Sequence, residues 1–162
     1  MAIDDEMMIM TDKNENCELS EALKELEICL ETPVVPGELE SWAHAANAAC
    51  EAVGIPLRNA VEDAHPEVFR QILQQDPELA QRVEELRSED QVLLRQFDSL
   101  KRQLHRLATQ ASAVEPRESR LDSQLSDVTK EGLAFVINTR SQEQALSTWY
   151  VEAYNRDRGI GD

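Results

Sequence analysis

Nine positions between Leu79 and Leu107 constrain this chain more than any other feature. Leu79, Val83, Leu86, Asp90, Leu93, Phe97, Leu100, Leu104 and Leu107 follow one another at alternating spacings of four and three without a slip. That period keeps one stripe of a long α-helix turned toward a neighbour. All but Asp90 are apolar, and Asp90 lies near the middle of the seam. Asp76-Pro77 just before it supplies a capping carboxylate and a proline at the first helical position, a specific start signal.

A helix with such a stripe needs partners, and the rest of the chain offers them. Leu19, Leu23, Leu26 and Leu30 predict a short amphipathic helix, ended by Thr32-Pro-Val-Val-Pro-Gly37. A second helix is expected over about residues 38–64, with Leu39, Trp42, Ala46, Ala49, Val53, Leu57 and Val61 inward and a kink at Pro56. His65-Pro66 predicts a break or bend, followed by a short apolar turn at Val68, Phe69, Ile72 and Leu73. Past a loop at 112–119, a further long helix is expected over about residues 120–155. Its inward set is Leu121, Leu125, Val128, Gly132, Val136, Thr139, Leu146, Tyr150 and Ala153, and glycine closes it in Arg158-Gly-Ile-Gly-Asp162. Leu133-Ala-Phe-Val-Ile137, the one run rich in β-branched residues, falls inside that helical period.

With 162 residues, one domain is expected. The predicted fold is all-α: an up-and-down four-helix bundle with an additional short N-terminal helix, occupying residues 18–162 behind a disordered acidic tail over 1–17. Aromatics make up only 4% of the chain, so the core must come from Leu, Val and Ala.

The net charge of −16 disfavours phosphate backbones and anionic lipid heads, so neither nucleic acid nor a membrane is an expected partner. The charge is uneven. Up to Leu57 there are thirteen Asp and Glu against only Lys13 and Lys24, which is −11 of the total, and this third is a candidate docking surface for a basic partner or simply a solvated face. Met1 to Met10 has acids where a secretory signal needs basic residues, and too short an apolar run for a span, so a cytoplasmic location is expected. Cys17, Cys29 and Cys50 show no CxxC spacing and read as reduced thiols.

In an antiparallel bundle the middles of the helices meet. Asp90, the turn from Arg140 through Gln142 to Glu143, and Arg58 with Glu62 are therefore expected at comparable depth, as a polar cluster within an apolar core. Buried charges must be paired, and the guanidinium of Arg58 or Arg140 is the expected partner of the carboxylates. The alternative is a wetter mid-section with no defined network.

Several stretches resemble the bacterial hemerythrin-like (HHE) bundles. Val83-Glu-Glu-Leu-Arg-Ser-Glu-Asp-Gln-Val-Leu-Leu94 is similar to the family segment Leu-Arg-x-Glu-His-x-x-Leu-Leu. Gln142-Glu143, Glu152-Ala-Tyr-Asn-Arg-Asp157 and Gly159-Ile-Gly-Asp162 are similar to its last helix, with a His-Glu pair and a Gly-Asp ending. The resemblance covers about residues 38–162. It implies a site for two irons built from about five histidines and two bridging carboxylates. Here Asp90, Gln142 and Arg58 stand where the family has histidines, while Glu62 keeps a carboxylate, and the chain holds only His44, His65 and His105. A ferritin-like site needs two Glu-x-x-His motifs. Glu62-Asp-Ala-His65 is one, and the residues three before His44 and His105 are Ser41 and Arg102.

No Gly-rich phosphate loop, GxSxG elbow or HExxH motif occurs in the sequence. The expected function is that of a metal-free, non-enzymatic, hemerythrin-like bundle without a cofactor, which binds another protein or itself as an interaction or regulatory module. The alternatives are a metal- or oxygen-binding di-iron-type bundle with carboxylate-rich ligands, and a structural coiled-coil adaptor.

Overall fold

The computed structural model describes residues 2–113 and 118–158, with side chains over 17–113 and 118–156. Helix α1 spans Ala2–Glu31, α2 Leu39–Asn59, α3 His65–Gln75, α4 Ala80–Ala111 and α5 Glu118–Arg158. A π-turn at Ala60–Ala64 joins α2 to α3 without a break, and a 3-10 turn at Pro77–Leu79 leads into α4. The described residues therefore make four helical rods, with no strand among them. No helix among them is long and apolar enough to cross a membrane. The glycine closure expected at 159–162 and part of the loop at 112–119 lie outside the described residues.

The N-terminal helix, expected as an addition to four others, is itself one of the four. Its backbone starts at Ala2, inside the stretch read as a tail. Leu19, Leu23, Leu26 and Leu30 are all buried against α2 and α5. At about 2 kcal/mol for each buried leucine, this contact makes α1 an integral wall of the core. Its end is set locally. Thr32 Oγ1 donates to Ile28 O at 2.6 Å, Pro33 follows, and Gly37 turns the chain with a φ of 90° before α2 begins.

Neighbouring rods run antiparallel. Along α1 and α5, Leu30 meets Gly132 while Glu27 meets Arg140. Along α2, α3 and α4, His44 meets Ser112, Gly54 meets Phe97, and His65 meets Asp90. Along α4 and α5, Gln103 meets Glu131 and Leu86 O meets Gln142. All nine seam positions, Leu79 in the 3-10 turn and eight in α4, are buried, Asp90 included.

The expected break at His65-Pro66 does not occur. Pro66 has no amide hydrogen to give to the preceding turn. The residues just before it widen into the π-turn, in which His65 N–H donates to Ala60 O. The wider turn also solves a problem of phase. Val53, Leu57, Val61, His65 and Phe69 are each four residues apart and all are buried. In an unbroken α-helix a spacing of four drifts by about 40° per step, which would carry Phe69 off the face that Val53 occupies. One extra residue in the turn restores the phase and brings His65 inward.

The apolar interior is in two parts. A larger cluster joins α1, α2 and the facing halves of α4 and α5, centred on residues such as Leu26, Val53, Phe97, Leu104 and Phe135. A smaller one joins α3 to Leu79 of the 3-10 turn, to Val83 and Leu86 of α4 and to Leu146 and Ala153 of α5. His65, Asp90, Thr139 and Gln142, buried polar residues, occupy the level between them.

Candidate functional site: a buried imidazolium between two carboxylates

His65 is the centre of that level. It enters from the first residue of α3, turned inward by the π-turn, and is 3% exposed. Asp90 reaches it from α4, with Nδ1 at 2.8 and 2.9 Å from the two carboxylate oxygens. Glu143 reaches it from α5, with Nε2 at 2.5 Å from Oε1. Gln142, one residue before Glu143, donates through Nε2 to Asp90 Oδ1 at 3.0 Å and to Leu86 O at 2.8 Å. Three helices are thus joined through one ring.

The proton count follows from the environment. Burial works to lower the His65 pKa and is the largest single influence. The hydrogen bonds and negative charges of Asp90 and Glu143 together outweigh it and raise the value to about 9. At neutral pH His65 is therefore an imidazolium that donates from both nitrogens. Its positive charge offsets one of the two carboxylates, and Gln142 supplies Asp90 with a further donor. The Phe69 ring and the imidazole pack in a T-shaped pair, with centroids 6.2 Å apart. Glu143, with 27% of its side chain exposed, is the wet member of the group. It borders a surface cavity of about 250 Å³ lined also by Leu19, Ser20, Leu23 and Arg140.

Of the residues expected at mid-height, Asp90, Gln142 and Glu143 come together. Arg58 and Glu62 do not: both are exposed, on the outer side of the rod that carries His65 inward. Arg140 is exposed as well. Its guanidinium is held by Glu27 of α1, with Nη1 and Nη2 at 2.9 and 2.7 Å from the two carboxylate oxygens. The cation at the centre is thus the imidazolium of His65 and neither arginine. Arg58 follows the buried Leu57 by one residue, about 100° round the helix, and that places it outside. Thr139, though buried, donates to Phe135 O of its own helix at 2.8 Å and stays out of the network.

Sequence reasoning missed the role of His65 because the following proline reads as a helix break. The signal was present in the run of fours from Val53 to Phe69, which places His65 at an inward position once one extra residue in a single turn is allowed.

The cluster does not suit the di-iron chemistry that the resemblance implies. A metal needs the neutral ring's lone pair, and both ring nitrogens here are protonated and bonded to carboxylates. Among the described residues no group of three or more His, Cys, Asp or Glu is placed to hold a metal ion. Outside the cluster, Cys50 is buried, and desolvation raises its thiol to about 12, far from a reactive thiolate. No known protein family, no curated protein and no solved structure matches this chain, so the reading of its site rests on its own residues.

Proposed function

We propose that this chain is a metal-free, non-catalytic bundle of the up-and-down, hemerythrin-like kind that works by binding another protein. The observation that carries the reading is the self-sufficiency of the His65 cluster. Both ring nitrogens are spent on carboxylates of α4 and α5, and the buried amide of Gln142 is spent on Asp90 and Leu86 O. Loading a metal there would require removing a proton from a group with a pKa of about 9 and breaking those bonds. The cluster acts as a fastener between helices, and recognition is left to the surface. The acidic first third of the chain supplies the strongest field there, one suited to a basic partner.

A second reading, a carboxylate-rich metal or oxygen-binding site, draws support from the cavity of about 250 Å³ that gives access to Glu143. Elemental analysis separates the two, on protein purified natively and again after incubation with ferrous and manganous ions. No retained metal, with helical circular dichroism intact, is the expected result. About two equivalents of iron or manganese per chain would overturn the metal-free reading in favour of the second.

A further inference from the structure

The geometry points to a docking groove between the end of α1, the loop over 32–38 and the first turns of α2, fitted to a short partner segment that carries an apolar side chain beside lysine or arginine. This inference rests on the protein-binding reading and names the place and chemistry of the contact.

The groove has a volume of about 270 Å³, and Cys29, Pro33, Val34, Val35, Trp42 and Ala45 are among its lining residues. Its walls are held before anything binds. The indole N–H of Trp42 donates to Cys29 O at 2.9 Å and to Thr32 O at 3.0 Å, satisfying carbonyls left open at the end of α1. Gly37 N–H is tied to the Glu118 carboxylate at 3.0 Å, which pins the loop to the start of α5. A preformed groove avoids the ordering cost that weakens docking on loose loops. Val35, 53% exposed, leaves apolar surface in the lining.

The charges nearest the groove are acidic, although Glu27 is spent on Arg140 of α5. Between Glu25 and Leu57 the chain contains Glu25, Glu27, Glu31, Glu38, Glu40 and Glu51 and no lysine or arginine. Glu38 lines the groove itself. The field reaches the floor: the Cys29 thiol is pushed up first by burial and then by the Glu25 carboxylate. An acidic face without an apolar floor is commonly just solvated. Here the floor and the rim coincide, which is the pattern of an apolar anchor flanked by basic residues. The chain's own first residues are a poor fit, since Asp4, Asp5, Glu6, Asp12 and Glu15 would meet like charge. A second copy brings a net −16 to the same rim.

The test uses the full chain and short random peptides displayed on phage. Selected peptides are then synthesised with fluorescein and titrated by anisotropy. Peptides that pair an apolar residue with lysine or arginine are expected to win. In the Trp149→Phe background Trp42 is the sole tryptophan, and its emission should shift on binding. Glu38→Lys, and Ala45→Trp at an exposed lining position, should each weaken binding about ten-fold or more with the circular dichroism unchanged. Failure to select any peptide, selection of peptides without basic residues, or unaltered affinity in both variants would overturn the groove. A dimer of the chain that Ala45→Trp dissociates would assign the groove to a second copy and overturn the partner-segment inference. Peptides that bind elsewhere would leave the protein-binding reading standing without the groove, whereas metal loading would remove that reading itself.

Discussion

Nδ1 of His65 lies 2.8 and 2.9 Å from the two carboxylate oxygens of Asp90, and both side chains are almost fully buried. This contact joins α3 to α4 where the two apolar clusters meet. Removing one partner strands the other in a low-dielectric interior. Asp90→Leu should therefore lower unfolding stability by about 3 kcal/mol, measured by urea titration. His65→Leu with Asp90→Leu should recover part of that loss, because the stranded charge is gone. Arg140→Ala, which breaks only an exposed pair with Glu27, should leave the urea midpoint nearly unchanged. A neutral or stabilising Asp90→Leu would sink the network in favour of a merely wet mid-section.

The same network predicts the sign of the pH dependence. The His65 pKa is raised from 6.5 to about 9, so the folded state holds a proton that the unfolded chain releases earlier. Its contribution is fully present below pH 6.5 and is lost as pH rises through 9. Stability should fall by a few kcal/mol across that window, with the slope absent in His65→Leu. Cys50 adds a loss of the same sign at higher pH, between 9 and about 12, so the two are separable. A flat wild-type profile between the lower two values, or an imidazole NMR titration near the ordinary histidine range, would contradict the assignment.

The thiols should separate by rate. Cys17 is exposed, Cys29 half-buried and Cys50 fully buried. With iodoacetamide at mildly alkaline pH, Cys17 should alkylate first and Cys29 more slowly. Cys50 should react only as fast as the bundle opens, and mass spectrometry of the digested protein reads the order directly. Prompt labelling of Cys50 in native protein would show that α2 is not packed as described.

Gly132 tests the seat of α1. A Cβ there would lie 2.5 Å from Leu30 Cδ1 and 3.4 Å from Leu100 Cδ1. In an exposed helix interior, glycine to alanine gains about 1 kcal/mol. Here Leu30 is itself packed in the core and must move, at a cost of about 1–3 kcal/mol. Gly132→Ala should accordingly be neutral to destabilising by thermal melting, and it should turn stabilising in a Leu30→Ala background, where the space is free.

Some of this was written in local spacing. The four-three seam from Leu79 to Leu107, the leucines of α1 and the Asp76-Pro77 start, with Asp76 Oδ1 accepting from Glu78 N–H at 3.1 Å, depend only on a helix's own period and its end chemistry. Those are properties of a segment and survive translation into three dimensions. The polar level was legible by half for the same reason: Asp90 and Gln142 interrupt inward stripes on their own helices. What completes it was decided by packing. Arg58, Glu62 and Arg140 are as polar as the residues that entered, and they stay outside because their helices turn other faces inward. His65 goes in because Pro66 denies the backbone a donor and the preceding turn widens, rotating an imidazole to where α4 and α5 each present a carboxylate. Local sequence determines which residues share a face. Which charge meets which, and so which proton is held, depends on the rotation of whole helices against one another.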